Sequence, residues 1–222
     1  MPLDTSHWPT FTAWCRLFGP RVGFLKVGLE AYTRWGPRAV EAAAAAGRGV
    51  FLDLKLHDIP NTVAGAVGAA SELGVDLLTL HVAGGDAMLR AAADAAAGRL
   101  RLLGVTLLTH LTAEELAALD MPGPLGARAA SWASLAHQAG CAGVVCSPRE
   151  AAALRRQHPR PFLLVTPGIR FAGTAVQDQR RTATPAAALA AGADLLVVGR
   201  ALTAAPDPEA ALAALTAELR RG

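Results

Sequence analysis

Short apolar runs alternate with longer, alanine-rich segments along the whole chain, and few folds accommodate that alternation. Eight runs lie near residue 3 and at residues 23–27, 50–54, 77–81, 102–108, 143–146, 162–166 and 195–198. Runs that are apolar on both faces and end in Gly, Pro, Asp or Ser are typical of buried parallel strands. The intervening segments, among them residues 38–46, 63–73 and 87–97, consist of strong helix formers.

Eight strand–helix units without a long linker predict an α/β protein, a closed (β/α)8 TIM barrel that forms a single domain over residues 1–222. A doubly wound open sheet has the same alternation. However, no Gly-x-Gly-x-x-Gly turn follows the first strand, which argues against a dinucleotide-binding sheet. The first unit is the weakest, because Leu3-Asp4 leaves little room for a strand. We expect either a shortened strand there or a start upstream of Met1.

The composition excludes several classes of protein. With 52% hydrophobic and 18% charged residues, the chain can bury a large core and is not a disordered protein. Residues 1–6 lack the pattern of a signal peptide, and charged residues interrupt every alanine-rich stretch, so we expect no membrane span. Cys15, Cys141 and Cys146 have no metal-ligand spacing, which favours a reducing, cytoplasmic location. The arginines are scattered, so we expect no nucleic-acid partner.

Lysine is almost absent from the chain. Of the 21 Lys and Arg residues, only Lys26 and Lys55 are lysine, and each lies at the polar end of an apolar run. Arginine can supply surface charge and phosphate contacts, whereas proton transfer near neutral pH is feasible for lysine and hard for arginine. The two lysines therefore mark positions where ammonium chemistry is needed, although two residual surface lysines would give the same count.

Acidic and basic residues meet at the end of the third apolar run, in Asp53-Leu54-Lys55-Leu56-His57-Asp58. Side chains alternate along a strand, so Asp53 and Lys55 are predicted to share a face, with Lys26 of the preceding strand beside Asp53. Barrel enzymes place their chemistry at this end of the strands. A structural ion-pair network is the alternative for Asp53 and Lys55, and a turn-stabilising role is equally consistent with the position of Asp58.

Glycine–arginine turns follow the last two apolar runs, in Thr166-Pro167-Gly168-Ile169-Arg170 and in Val198-Gly199-Arg200. Glycine lets backbone N–H groups approach an anion, and the arginine guanidinium matches phosphate oxygens. One such turn is ordinary in an α/β protein, but two in successive loops favour a phosphate site.

The segment Asp-x-Lys-x-x-Asp-Ile-Pro-Asn-Thr at residues 53–62 resembles the signature of the orotidine 5′-monophosphate decarboxylases. The resemblance implies that Asp53 and Lys55 are the catalytic pair and that Lys26 completes their network. It implies that Asp58 and Thr62 act across a homodimer interface, in the active site of the neighbouring subunit. In the same way, Asp4 corresponds to a ribose-binding aspartate.

The C-terminal half of the chain is similar to the same family in the expected order. Arg170, Gly199 and Arg200 correspond to its phosphate loops, and Gln179 to a glutamine that bridges phosphate and pyrimidine. Thr109 corresponds to a residue that touches the base. Two departures are His110, where the family usually has serine, and Gln177, where it usually has glycine. Cys146-Ser147-Pro148-Arg149-Glu150 resembles the family's Ser-Pro-x-Glu segment, and we expect it to begin a helix.

What the resemblance implies is decarboxylation of the nucleotide orotidine 5′-monophosphate to uridine 5′-monophosphate and CO2, a step of de novo pyrimidine synthesis. Lys55 would protonate C6 of the pyrimidine, with no cofactor and no metal. Two alternatives remain open. A metal-dependent sugar-phosphate decarboxylase or aldolase of the same suprafamily shares Asp-x-Lys-x-x-Asp, and Glu30 would be its extra ligand. An inactive barrel that senses a phosphate ligand is the other alternative.

Overall fold

The structure is a computed structural model that describes residues 1–170 and 182–219. The chain divides into two compact units. Unit 1 consists of Met1–Leu103 with Ala139–Cys141, and unit 2 consists of Gly104–Gln138 with Ala142–Gly222. Both units contain short parallel strands that alternate with helices, as the pattern of apolar runs predicts.

Unit 1 begins with helix α1 (Trp8–Phe18) and a 3-10 turn (Gly19–Arg21), and then alternates strands and helices. The elements are β1 (Leu25–Gly28), α2 (Leu29–Trp35), α3 (Pro37–Ala46), β2 (Val50–Leu56), α4 (Pro60–Glu72), β3 (Leu77–His81), a 3-10 turn (Val82–Gly84) and α5 (Gly85–Ala96). Strand β4 (Arg101–Val105) begins in this unit. Strands β1 and β2 pair in parallel, as do β2 and β3.

The first predicted strand is reduced to a bridge. Pro2 pairs in parallel with Lys26, the Leu3 N–H donates to the Lys26 carbonyl at 2.9 Å, and the Lys26 N–H donates to the Met1 carbonyl at 2.8 Å. The Leu3 side chain is fully buried. The segment therefore lies along β1, but it is too short to count as a strand.

Unit 2 repeats the alternation with shorter strands. Its elements are α6 (Ala113–Ala117), α7 (Leu125–Gln138), β5 (Gly143–Val145), α8 (Pro148–Gln157), β6 (Leu163–Thr166), α9 (Pro185–Ala190), β7 (Leu195–Leu196), α10 (Arg200–Thr203) and α11 (Pro208–Leu219). Strand β6 pairs in parallel with β5 and with β7. The described residues thus contain seven strands, where the sequence predicts eight.

In each unit, an aspartate joins two neighbouring strands through the same kind of hydrogen-bond pair. In unit 1, the Val50 N–H donates to Oδ2 of Asp76 at 2.8 Å, and the Asp76 N–H donates to the Val50 carbonyl at 3.0 Å. In unit 2, the Leu164 N–H donates to Oδ2 of Asp194 at 2.8 Å, and the Asp194 N–H donates to the Leu164 carbonyl at 2.9 Å. We call Asp76 and Asp194 the strand-closing aspartates. Each lies two residues after a glycine and immediately before a strand, and its hydrogen bonds join that strand to the preceding one.

Candidate active site

Four charged side chains of unit 1 form one continuous ionic network. Nζ of Lys26 lies 3.0 Å from Oδ2 of Asp53, and Nζ of Lys55 lies 2.8 Å from Oδ1 of the same carboxylate. Nζ of Lys26 also lies 3.7 Å from Oδ1 of Asp4. The structure therefore brings together Lys26, Asp53 and Lys55, as the sequence predicts, with Asp53 at the centre between two ammonium groups, and it adds Asp4 to the network.

Burial makes this network electrostatically strong. Lys26 is 8% exposed and Asp53 is 9% exposed. Burial acts to raise the pKa of the Asp53 carboxyl, but the charges of Lys26 and Lys55 outweigh it and lower that pKa to about 2. Burial likewise acts to lower the pKa of Lys26, but Asp53 and Asp4 raise it overall. Near neutral pH, Asp53 is thus a carboxylate and Lys26 is an ammonium.

Lys55 lies where the backbone of β2 departs from regular strand geometry. Its φ is 51°, in the left-handed region, and the register between β2 and β3 shifts between Leu52 and Leu56. A residue other than glycine is uncommon in this conformation. Asp53 and Lys55 do meet, as strand alternation predicts, but they meet through an irregular backbone that alternation does not describe.

Thr79 of β3 is a member of the site that the sequence reasoning missed. Its hydroxyl donates to Oδ1 of Asp53 at 2.9 Å and accepts from the backbone N–H of Lys55 at 2.9 Å. The residue is completely buried. The available signal was a single polar residue inside the apolar run Leu77–His81, because a polar side chain at such a position needs hydrogen-bond partners.

Gly28 is required by the close approach of Asp4 and Lys26. A Cβ atom at residue 28 would lie 2.8 Å from Oδ1 of Asp4 and 3.0 Å from Nζ of Lys26. Both distances are too short for a carbon atom beside these groups, so any larger residue would displace the ionic network.

Asp58 and Thr62 lie outside this network, on the exposed surface at the start of α4. Oδ1 of Asp58 accepts a hydrogen bond from the Ile59 N–H at 2.6 Å. The Ile59 side chain between them is 67% exposed, which is high for a large apolar residue. The local hydrogen bond is the turn-stabilising role that the sequence left open for Asp58, and exposure leaves Asp58 and Thr62 accessible to another molecule.

Two histidines lie next to Lys55. The ring centroids of His57 and His81 are 5.6 Å apart. Burial, together with the neighbouring His57 and Lys55, lowers the pKa of His81. His81 is therefore neutral near neutral pH and adds no charge to the network.

The arginine turns of unit 2 have the geometry of tight loops. Gly168 has φ of 80°, and the Arg170 N–H donates to the Ala183 carbonyl at 3.0 Å, which ties this loop to the start of α9. Gly199 is the residue before α10, and Arg200 begins that helix. Arg170 is half-buried and Arg200 is exposed.

The remaining candidate residues of unit 2 that the structure describes lie after β4 and near the start of α8. Thr109 is half-buried in the loop after β4, and Gln179 lies outside the described residues. The Ser147 hydroxyl accepts from the Arg149 N–H at 3.2 Å, and the Glu150 carboxylate accepts from the Ser147 N–H at 3.0 Å. This capping box confirms the predicted start of a helix at Ser147–Glu150.

Within residues 1–170 and 182–219, no group of three or more His, Cys, Asp and Glu side chains is arranged to hold a metal ion. Across those two ranges, no helix has both the length and the apolar character to cross a membrane. Cys15, Cys141 and Cys146 are buried and are not joined in disulfide bonds.

Known proteins share both the sequence and the fold. The pattern of the Orotidine 5′-phosphate decarboxylase / HUMPS family matches residues 1–215. The chain is 53% identical over 214 residues to the orotidine 5′-phosphate decarboxylase of Anaeromyxobacter sp. (strain K), covering 95% of this chain and 94% of that protein. It is 51% identical over 220 residues to the orotidine 5′-phosphate decarboxylase of Thermobifida fusca (strain YX), covering 99% of this chain and 94% of that protein.

A solved structure gives the same result for the fold. The crystal structure of orotidine 5′-phosphate decarboxylase from Lactobacillus acidophilus is 34% identical to this chain and superposes with a TM-score of 0.85, covering 98% of this chain and 96% of that one. The match extends over nearly all of the chain, which includes Asp4 and the strands that carry Lys26, Asp53 and Lys55. The chain therefore belongs to the orotidine 5′-phosphate decarboxylase / HUMPS family.

Proposed function

We propose that this protein catalyses the decarboxylation of orotidine 5′-monophosphate to uridine 5′-monophosphate and CO2. The observation that carries the proposal is the position of the Asp53 carboxylate, which is buried between the ammonium groups of Lys26 and Lys55. Relatives that are 53% and 51% identical to this chain are named for the same activity. The reaction is a step of de novo pyrimidine synthesis, which agrees with a cytoplasmic enzyme.

In the proposed mechanism, Asp53 lies against the carboxylate of the substrate, and Lys55 lies next to C6. The bond between C6 and the carboxylate breaks, CO2 leaves, and the electron pair stays on C6. The Lys55 ammonium stabilises the developing negative charge and then donates a proton to C6, after which solvent returns a proton to the amine. Lys26 has a raised pKa and keeps Asp53 ionised and oriented. The chemistry needs no cofactor.

The family resemblance supplies the remaining roles. Arg170, Gly199 and Arg200 bind the 5′-phosphate, and Gln179 joins the phosphate to the base. Arginine forms forked hydrogen bonds to phosphate oxygens, and the tight turn at Gly168 leaves backbone room for an anion. Because the phosphate is remote from C6, its binding energy can position the substrate without taking part in the bond cleavage.

The sugar and the base have their own proposed contacts. Asp4 binds the ribose, and its carboxylate is accessible because about half of the side chain is exposed. Thr109 contacts the base, and Thr62 reaches the site of the neighbouring subunit. His110 is exposed beside Thr109, where the family usually has serine.

The decisive assay follows the loss of absorbance of orotidine 5′-monophosphate with purified protein, with and without EDTA. Rapid loss that EDTA does not change would establish the activity. No loss would reject the activity and favour the metal-dependent sugar-phosphate relative. A loss that EDTA abolishes would contradict the metal-free mechanism but not the substrate. Lys55→Ala should abolish turnover while uridine 5′-monophosphate still binds. A near-normal rate in this variant would exclude Lys55 as the proton donor.

We also propose a homodimer in which Asp58 and Thr62 act in the partner's active site. The exposure of Asp58, Thr62 and Ile59 supports this assignment, since a monomer gains nothing from an exposed isoleucine between two functional groups. Mixing Lys55→Ala with Asp58→Asn subunits tests it. Hybrid dimers then contain one site with both native residues, and turnover should return to about a quarter of the wild-type rate. If Asp58 acts within its own subunit, the mixture stays inactive.

A single (β/α)8 barrel over residues 1–222 is the architecture that we propose for the chain. The parallel bridge between Pro2 and Lys26 supports it, because the N-terminal segment lies along β1 where the first strand of such a barrel would lie. One calorimetric unfolding transition is expected, and two separate transitions would contradict a single domain.

A further inference from the structure

Thr79 connects the two catalytic residues of the proposed mechanism through one hydroxyl group. The hydroxyl donates its hydrogen to Oδ1 of Asp53 at 2.9 Å, and its oxygen accepts from the backbone N–H of Lys55 at 2.9 Å. A hydroxyl has one donor and two acceptor positions, so both bonds form at once and their directions are fixed. The side chain of Lys55 binds the same oxygen of Asp53, at 2.8 Å.

The bond to Lys55 is made where the strand itself is irregular. Lys55 has φ of 51°, and the register between β2 and β3 shifts between Leu52 and Leu56, the interval that contains it. A regular parallel strand would direct such an N–H to a carbonyl of the neighbouring strand. Here the N–H binds the Thr79 side chain instead, so a β3 hydroxyl supports the backbone conformation from which the Lys55 side chain extends.

The bond to Asp53 limits the freedom of the carboxylate. Oδ2 of Asp53 binds Lys26 at 3.0 Å, and Oδ1 binds both Lys55 and Thr79. Without the hydroxyl, Oδ1 keeps only the flexible Lys55 side chain as its partner and loses the one that extends from the neighbouring strand β3. Because the hydroxyl is neutral and buried, it holds the orientation without changing the charge of the site.

We propose that Thr79 is a positioning residue, which presets the Asp53 carboxylate and the Lys55 backbone for decarboxylation; this inference rests on the proposed function. Thr79 makes no contact with substrate in this proposal and acts only through Asp53 and Lys55. Its removal should therefore lower kcat and leave nucleotide binding almost unchanged.

Thr79→Val tests the proposal, because valine keeps the shape of threonine and removes the hydroxyl. We expect kcat to fall about 10- to 100-fold, as for the loss of a buried hydrogen bond to a charged group. The dissociation constant of uridine 5′-monophosphate should change less than about threefold. Thr79→Ser keeps the hydroxyl and should restore most of kcat. Thr216→Val removes a hydroxyl that binds the Leu212 carbonyl in α11 and should leave kcat unchanged.

Amide hydrogen exchange at Lys55 gives a readout that does not depend on turnover. The Lys55 N–H should exchange faster in Thr79→Val than in the wild type and in Thr79→Ser. If wild-type protein fails to decarboxylate the substrate, the proposed function falls, and exchange still decides whether Thr79 holds Lys55. Unchanged kcat in a folded Thr79→Val, or equal losses in the Val and Ser variants, would overturn the proposal. If Thr79→Val does not fold, Thr79→Ala replaces it in the same comparison.

Discussion

Lys26 and Asp53 form a buried ion pair across two neighbouring parallel strands, with 3.0 Å between Nζ and Oδ2. Both residues are buried, with side chains that are 10% (Lys26) and 13% (Asp53) exposed. The pair occupies one carboxylate oxygen and leaves the other to Lys55 and Thr79. Lys26 therefore balances the charge of Asp53 from the side opposite to the proposed proton donor.

Replacing Lys26 with Met should destabilise the protein strongly. The change leaves Asp53 buried with only one ammonium partner, and the loss of one member of a buried pair costs about 3–5 kcal/mol. Urea unfolding measures the loss. Arg90→Met is the matched control, because Arg90 pairs with Asp86 on an exposed helix surface and its removal should have little effect. Equal losses for the two variants would show that burial does not strengthen the Lys26 pair.

The stability of the fold should decrease in acid because of Asp53. Its pKa is lowered from 3.8 to about 2 in the folded protein, so the unfolded chain binds a proton before the folded one does. The stabilisation is complete above the unfolded value and is lost as the pH falls from about 4 to about 2. The free energy of unfolding, measured in urea across this range, should fall less steeply in Asp53→Asn. If the free energy of unfolding falls equally steeply with pH in the wild type and in Asp53→Asn, titratable groups other than Asp53 cause the acid sensitivity.

The left-handed backbone of Lys55 should make glycine more stable than alanine at this position. Both Lys55→Gly and Lys55→Ala remove the ion pair with Asp53, so the comparison isolates the backbone, whose φ is 51°. Glycine adopts this conformation without steric cost, and we expect Lys55→Gly to be more stable by about 1 kcal/mol. Urea unfolding of the two variants measures the difference. A more stable alanine variant would indicate that residue 55 relaxes to a regular strand once the side chain is removed.

The two strand-closing aspartates should differ in their contribution to stability. Asp76→Ala leaves the Val50 N–H without its acceptor, at a cost of about 1 kcal/mol. Asp194→Ala removes the acceptor of the Leu164 N–H and also leaves the half-buried Arg155 guanidinium without its carboxylate partner. We expect Asp194→Ala to lower the free energy of unfolding by about 3 kcal/mol. Thermal and urea unfolding compare the variants, and a larger effect at Asp76 would contradict this order.

Much of the fold was predictable because the spacing of apolar residues along the chain indicates which segments form strands and which form helices. The predicted segment 38–46 is the helix Pro37–Ala46, 63–73 is Pro60–Glu72 and 87–97 is Gly85–Ala96. Proline and glycine account for the shifted starts, since proline is well placed in a first helical turn. Three predicted strands fall short: the one at Leu3 is reduced to a bridge, and β4 and β7 end at Val105 and Leu196, before the ends of the predicted runs 102–108 and 195–198. Hydrophobicity shows which residues are buried but not how many of them pair with a neighbouring strand.

The ionic site was predictable for the same reason. Parallel strands bring their C-terminal ends to one edge, so Lys26 and Asp53 had to lie close once both runs were recognised as neighbouring strands. The conformation of Lys55 was not predictable, because a left-handed φ has a sequence signal only when glycine or asparagine adopts it. Thr79 was missed because its role depends on that irregular backbone and not on a spacing motif.

The strand-closing aspartates also bear on the order in which the chain folds. Asp76 reaches back 26 residues to Val50, and Asp194 reaches back 30 residues to Leu164. Each contact therefore closes one strand–helix–strand segment with residues of that segment alone. Loops of this length have a modest closure entropy, and contacts between residues near in sequence form early. These two contacts can then form as soon as their own segments are synthesised, because neither needs a residue from later in the chain.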